Sequence, residues 1–148
     1  MASQYIGKEF SGIKSHEGTI VPYKRTIPEL GPHDILLRIT HSGVCHSDSV
    51  FVSLGAPVAL GHEGVGIVEG IGSLVTQFKV GDRAGAGFHR WSCGQCKYCL
   101  NGEDIHCYNR VTMGEGDFDN GTFGQYYIGR ETWLRKFDPI KTHDPPAS

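Results

Sequence analysis

The sequence predicts a mainly β domain of the α+β class, built as a partly open β-barrel with short helices and an inserted cysteine-rich lobe. Three observations predict this class. The 21 glycines are spread along the chain and far exceed the usual share of roughly 7%, which favours many tight turns and bulges. Short runs rich in β-branched and aromatic residues recur between turn signals. Long helical runs do not alternate with these short segments.

The order of elements follows from the same signals. Strands are expected at 18–27, 35–41, 65–71, 122–129 and 133–137, and residues 78–85 are expected to form a strand, a tight turn and a strand. A short helix capped by Ser47 or Asp48 is expected to end at Gly55. The predicted organisation is an N-terminal segment at 1–17, one domain at 18–137 with a lobe at 91–110, and a polar tail at 138–148.

Composition excludes several classes of function. A length of 148 residues suits one domain with its own core. A net charge of −2 gives no general attraction to nucleic acid or to anionic membranes. The N-terminus lacks the apolar segment of a secretory signal, and no stretch approaches the ~18 apolar residues of a membrane span. We therefore expect a cytoplasmic protein with neither nucleic acid nor membrane as a partner.

Four of the five cysteines lie in CGQCKYCLNGEDIHC, at Cys93, Cys96, Cys99 and Cys107. The spacing C-x2-C-x2-C-x7-C can place four thiolates around one Zn²⁺ ion. Four thiolates leave no open position, so the pattern indicates a structural zinc site rather than a catalytic one.

Other interpretations of this cluster fit less well. Disulfides are disfavoured in a reducing compartment. An iron–sulfur cluster of the ferredoxin type would need a final gap of three residues and a proline after the last cysteine, where this chain has seven residues and Tyr108. A nucleic-acid zinc ribbon would need a basic stripe, whereas Lys97 and Arg90 are accompanied by Glu103 and Asp104. A set of free buried thiols is the remaining alternative.

The fifth cysteine suggests a second metal site. Cys45 lies in GVCHSD, and His62 with Glu63 follows in GHEGVG. Cysteine, histidine and a carboxylate are suitable ligands for a catalytic zinc, which keeps one position open. Taken alone, Cys45 is more often a small buried apolar residue than a ligand, and His62 is more often a hydrogen-bonded core histidine.

Four motifs in this order are similar to the zinc-dependent medium-chain alcohol dehydrogenases: GVCHSD, GHEGVGIVEGIG, FKVGDRAG and CGQCKYCLNGEDIHC. The resemblance covers about residues 18 to 137 and implies that family's GroES-like catalytic domain. It implies Cys45 and His62 as ligands of the catalytic zinc and Glu63 as an acid that can approach or ligate the same ion. It implies the structural zinc for the four clustered cysteines.

The resemblance also implies roles beside the metal. Ser47 matches the hydroxyl residue that takes the proton of the substrate alcohol. Asp48 matches the carboxylate that holds the ligand histidine, and His46 matches a position that reaches the pyrophosphate of the cofactor. The implied reaction interconverts alcohols with aldehydes or ketones, using NAD or NADP.

The sequence departs from the family at three points. None of its glycine-rich stretches fits G-x-G-x-x-G, since Glu69, Arg90 and Val75 stand where the third glycine is needed. The third cysteine-class ligand of the catalytic zinc would lie beyond Ser148, and Val50 occupies the position of an outer histidine. We therefore expect a catalytic domain that is incomplete on its own, in a homo- or hetero-oligomer; the alternative is a stand-alone zinc-binding module without turnover.

Overall fold

A computed structural model describes residues 4–137 of the chain. The strands are β1 Glu9–His16, β2 Thr19–Thr26, β3 Asp34–Gly43, β4 Glu63–Ile71, β5 Arg83–Ala86, β6 His89–Trp91, β7 Val111–Met113, β8 Gly116–Asp117, β9 Tyr126–Arg130 and β10 Leu134–Phe137. The α-helices are α1 His46–Ser53 and α2 Lys97–Leu100, and 3₁₀ helices lie at Asp104–His106 and Glu131–Trp133. The described part is thus mainly β, with short helices, as the sequence predicts.

A five-stranded antiparallel sheet in the order β10-β5-β4-β3-β9 forms the centre of the domain. Its buried side chains, Ile35 and Leu37 of β3, Val68 of β4 and Leu134 of β10 among them, make up the main core. Strand β4 alternates between buried and less buried residues, as a strand with one buried face requires, whereas β3 buries Leu36 on its opposite face as well. The sheet therefore provides the rigid frame from which the site-bearing loops extend.

The glycines of β4 let β3 approach closely. A Cβ atom at Gly66 would lie 2.3 Å from the carbonyl oxygen of Arg38. The register between the two strands shifts at Leu36/Leu37 and again at Ile39/His41. Gly66 thus permits the close approach of the two backbones, and the register shifts are irregularities of the kind at which strands bend.

The N-terminal residues belong to the fold. Strand β1 pairs with β2 along its whole length, and Phe10 of β1 packs with Ile27 and Leu36 in a second core cluster. The boundary predicted between residues 17 and 18 therefore falls in the turn of a hairpin and separates no structural unit. The predicted tail at 138–148 lies outside the described residues.

Several predicted boundaries are wrong. In 78–85 only Arg83 onward is a strand, since Phe78 is a buried loop residue. The strand expected at 122–129 runs from Tyr126 to Arg130. Helix α1 is capped by Cys45, so neither Ser47 nor Asp48 is its cap. Asp48 instead takes the third helical position and accepts a hydrogen bond from the Cys45 backbone N–H, the reciprocal arrangement of a capping box.

Among the described residues, every helix is too short and too polar to cross a membrane.

Candidate metal centres

The sulfur atoms of Cys93, Cys96, Cys99 and Cys107 all lie within 4.8 Å of one another. The Sγ–Sγ distances are 3.5 Å for Cys107–Cys93, 3.6 Å for Cys96–Cys99 and 3.9 Å for Cys93–Cys99. A regular tetrahedron with metal–sulfur bonds near 2.3 Å has edges of about 3.8 Å. The four-thiol cluster therefore fits a metal ion such as Zn²⁺ without any rearrangement of the backbone.

The local backbone explains how the four cysteines come together. Gly94 has a φ of +71° between the first two cysteines, and Gly102 has a φ of +76° between the last two, so both occupy the left-handed region that glycine reaches without strain. Cys96 caps α2, which brings Cys99 back towards it. In the segment 92–110 only Cys107 is buried, so the lobe has hardly any apolar core of its own.

Neighbouring donors prepare two of the four thiols to ionise. The Cys99 backbone N–H, and then the Cys99 thiol, lower the pKa of Cys96 to about 6 against the effect of burial. The backbone N–H of Gln95, followed by that of Cys96, lowers the pKa of Cys93. The Cys93 backbone N–H points at Cys107 Sγ from 3.4 Å, but burial and the thiols of Cys93 and Cys99 raise the pKa of Cys107 to about 11. Thiolates are the form that binds metal, so Cys93 and Cys96 are the thiols best prepared to bind it first.

A second group of ligand atoms lies at the other end of the domain. The ligand atoms of Cys45, His62 and Glu63 lie within 4.8 Å of one another. Cys45 is half-buried at the start of α1, His62 is buried just before β4, and Glu63 is exposed as the first residue of β4. We call these three residues the Cys45–His62 site. The structure thus brings together residues that are seventeen positions apart in the sequence.

Asp48 connects the two chain segments of this site. Its Oδ2 accepts a hydrogen bond from the Cys45 backbone N–H at 3.1 Å, and its Oδ1 accepts one from the Gly61 backbone N–H at 2.9 Å. The same Oδ1 lies 3.5 Å from His62 Nδ1, which is buried and has no hydrogen-bond partner among the described residues. A small rotation would let this nitrogen donate to Asp48, which leaves Nε2 for a metal.

Glu63 faces open space beside the site. A Cβ atom at Gly43 would lie 2.6 Å from Glu63 Oε2, so the Glu63 side chain lies close against residue 43. Glu63 also lines a cavity of about 580 Å³ together with Phe88, His89 and Trp133. This volume lies within the range of small-molecule binding sites, roughly 300–1,000 Å³.

The remaining predicted residues lie on the first turn of α1. Ser47 is half-buried, and its Oγ lies 3.8 Å from Cys45 Sγ. His46 is exposed, and its Nδ1 lies 3.2 Å from the Ser49 hydroxyl. Consecutive residues on one helical turn project in different directions, so Ser47 faces the ligand side while His46 faces solvent.

Two contributors to the site were not predicted from the sequence. Phe88 meets the His62 ring edge-on, with ring centroids 5.3 Å apart. Thr122 packs against the loop before β4, where a Cβ atom at Gly61 or Gly64 would collide with it. Neither residue stands in a recognisable metal motif. Only the position of Phe88 just before the cysteine lobe could have drawn attention to it.

Comparison with known proteins agrees with this architecture. Residues 31–139 match the family model described as the alcohol dehydrogenase GroES-like domain. The chain is 46% identical over 105 residues to the probable formaldehyde dehydrogenase AdhA of Bacillus subtilis, covering 66% of this chain and 30% of that protein. It is 36% identical over 126 residues to alcohol dehydrogenase 1 of Emericella nidulans, covering 80% of this chain and 35% of that protein.

The fold has solved counterparts. A cinnamyl alcohol dehydrogenase from Sorghum bicolor superposes with a TM-score of 0.77 at 26% identity, covering 88% of this chain and 41% of that one. The chain therefore spans about a third of the length of the two curated relatives named above. It belongs to the alcohol dehydrogenase GroES-like domain family, as the resemblance in the sequence implies.

Proposed function

We propose that this chain supplies the metal-binding and proton-handling part of a zinc-dependent alcohol dehydrogenase, which interconverts small alcohols with aldehydes or ketones. The partner redox cofactor is NAD or NADP, bound chiefly by a dinucleotide-binding domain in addition to the residues described here. Family membership supports the proposal, together with the curated relatives named for alcohol and formaldehyde dehydrogenases.

One observation carries this function beyond family membership: the convergence of Cys45, His62 and Glu63, with Asp48 bonded to both segments that bear the first two. A purely structural metal site has no need of an exposed carboxylate next to a large open cavity. Three ligands beside such a cavity leave a position for substrate, as a catalytic zinc requires.

The proposed roles follow from these positions. Cys45 and His62 hold the catalytic zinc, and Glu63 approaches it from the cavity side. Asp48 fixes the tautomer and orientation of His62, since a ligand histidine works best when its other nitrogen donates to an oxygen. Zinc, when bound there, supplies Lewis-acid polarisation of the substrate oxygen.

Proton and cofactor contacts are assigned to α1. Ser47, next to the ligand thiol, accepts the proton of the substrate hydroxyl and passes it towards solvent. His46 faces outward, where its ring suits a cofactor phosphate. The nicotinamide cofactor, when bound, supplies the hydride chemistry that no side chain provides. The four-thiol cluster is proposed as a structural zinc site that orders residues 91–110.

Cobalt substitution tests the proposal without depending on the cofactor. Co²⁺ bound through a thiolate absorbs visible light, so an open cobalt site should change its spectrum when ethanol or an aldehyde binds. We expect two metal ions per chain and a spectral response to substrate that disappears in Cys45→Ser. The Cys45→Ser variant should still hold the metal of the four-thiol cluster. Retention of that metal would show that the variant is folded.

Turnover completes the test. NAD- or NADP-dependent oxidation of simple alcohols should be measured for the chain with and without a full-length homologous subunit. A protein that binds a single metal ion, shows no spectral response and supports no turnover in either mixture would instead be a stand-alone zinc-binding module.

A further inference from the structure

A second cavity has a volume of about 510 Å³. It is bounded by the end of β6, the first residues of the lobe and the connection between β9 and β10. The residues that line it are His33, Trp91, Ser92, Cys93, Gly94, Arg130, Thr132 and Trp133. We call it the tryptophan cavity, because the two tryptophans of the chain both line it.

Apart from the Cys93 thiol, the ionisable side chains that line this cavity are basic. Its lining contains the Arg130 guanidinium and the His33 ring but no carboxylate. Among residues 4–137, no carboxylate comes within 4 Å of the Arg130 guanidinium. Its cross-strand neighbour Asp34 accepts a hydrogen bond from the Gly31 backbone N–H instead. Arg130 is therefore exposed with its donors available to a ligand.

Glu131 positions His33 from outside the lining. It lies behind His33 and accepts hydrogen bonds from His33 Nδ1 at 2.9 Å and from the backbone N–H groups of Thr76 and Gln77 at 2.9 and 3.1 Å. Its side chain is only 5% exposed. The bond from Nδ1 fixes the His33 ring, whose side chain is 43% exposed, so Glu131 orients His33 without itself lining the cavity.

The tryptophan cavity also offers flat apolar surface. Trp91 and Trp133 are both half-buried, and Trp133 is held rigid by stacking on His89 at 4.3 Å between ring centroids. Indole rings bind aromatic groups by stacking and through their apolar area. Arginine binds phosphate or carboxylate in a bidentate manner, and hydroxyls such as those of Ser92 and Thr132 can add further hydrogen bonds.

We propose that the tryptophan cavity binds a small aromatic ligand that carries a phosphate group, of the size of a nucleoside monophosphate. The aromatic ring lies against the tryptophans, and Arg130 with His33 holds the phosphate. The cavity volume suits such a ligand. Its lining shares only Trp133 with the cavity beside Glu63 and includes neither the ligands of the Cys45–His62 site nor His46.

A different role for Arg130 must be distinguished from this one. Cys93 lies in the lining, and a metal ion held by four thiolates carries a net negative charge. Arg130 would then serve only to offset that charge. This alternative predicts that the loss of Arg130 weakens metal binding by the four-thiol cluster and leaves ligand binding unaffected.

Intrinsic tryptophan fluorescence reports on the cavity because both tryptophans of the chain line it, and Trp133 also lines the 580 Å³ cavity beside Glu63. The zinc-loaded chain should be titrated with AMP, with adenosine and with inorganic phosphate. We expect a saturable change with AMP and at least tenfold weaker binding of the other two. Arg130→Gln should weaken AMP binding by about tenfold or more, since it removes a charge-assisted hydrogen bond, and should retain zinc.

Two matched variants complete the experiment. Arg83→Gln removes an exposed arginine of β5 that does not line the cavity and should leave the AMP titration unchanged. His46→Ala should also leave it unchanged, which separates the cavity from the proposed cofactor position. No saturable change with AMP, equal affinity in Arg130→Gln, or a loss of zinc from that variant without a loss of AMP affinity would each overturn the proposal.

Discussion

Asp48 Oδ1 accepts a hydrogen bond from the backbone N–H of Gly61 at 2.9 Å and so ties the first turn of α1 to the residue before His62. The other carboxylate oxygen accepts the Cys45 backbone N–H. One buried side chain thereby sets the distance between two proposed metal ligands. The geometry of the Cys45–His62 site depends on these two hydrogen bonds, because its ligands come from separate segments of the chain.

The Asp48→Asn substitution tests whether Asp48 positions the two metal ligands. The amide keeps the size of the side chain but replaces one accepting oxygen with an NH₂ donor, so it cannot accept hydrogen bonds from both backbone N–H groups. We expect the affinity of the Cys45–His62 site for metal to fall about 10- to 100-fold, with the metal of the four-thiol cluster retained. Competition with a chromophoric chelator measures both affinities.

The matched control is Asp34→Asn, since Asp34 also accepts a backbone N–H, that of Gly31, but lies away from both metal centres. Its two metal affinities should equal those of the parent. An Asp48→Asn protein with unchanged affinity at both sites would show that Asp48 does not position the ligands.

Cys96→Ser should destabilise the protein and release the metal of the four-thiol cluster. The substitution opens a closed tetrahedral site, and structural zinc contributes on the order of 10–16 kcal/mol of apparent folding free energy in small zinc domains. Thermal unfolding and metal content are the measurements. Cys45→Ser is the control with the same chemical change, and we expect it to keep the four-thiol metal and most of the stability. Equal losses in the two variants would contradict the assignment of separate structural and catalytic sites.

Gly61→Ala should be more destabilising than an ordinary glycine replacement. Gly61 has a φ of +91°, and a Cβ atom there would lie 2.5 Å from the Phe123 backbone nitrogen. Backbone strain alone costs about 1–3 kcal/mol at such a position, and the collision adds to it. Urea unfolding gives the free energy difference.

Gly81→Ala separates these two costs. Gly81 has a similar φ of +94°, but a Cβ atom there would meet no atom within 4 Å. We expect Gly81→Ala to show the strain alone. If the two variants lose equal stability, the close approach of the 122–123 segment to Gly61 is not a constraint on the fold.

Glu131→Gln should cost about 1–3 kcal/mol at neutral pH, because it weakens hydrogen bonds to a charged, buried acceptor. The hydrogen bond from His33, followed by that from the Thr76 backbone N–H, lowers the pKa of Glu131. A lowered pKa in the folded state stabilises the protein above the unfolded value of about 4.3, and that contribution is lost as the pH falls through the folded value.

The stability difference between the parent and Glu131→Gln should therefore be constant near pH 7 and should shrink below about pH 4.3. Urea unfolding between pH 7 and pH 3.5 measures it, with Glu29→Gln as an exposed control. A difference that grows on acidification would mean that Glu131 is not charged in the folded protein.

The sequence predicted the chemistry of this protein better than its boundaries. The short spacing of the four-thiol cluster restricts its geometry strongly, and the resemblance placed Cys45 near His62, where the structure has them. Strand β1, EFSGIKSH, was missed because polar residues and a glycine interrupt its alternation and its order comes from pairing with β2. The cap of α1 was missed because propensity favours Ser47 and Asp48, whereas the reciprocal bond of Asp48 selects Cys45.

Because residues 92–110 have almost no apolar core, the amount of intact protein in a cell should depend on zinc. Without metal, the segment keeps only local turns, surface aromatic contacts and an ion pair between Arg110 and Glu115, and an unfolded surface segment is a preferred target for proteases. The number of intact molecules would then follow the supply of zinc. Zinc starvation would lower the amount of the protein through degradation.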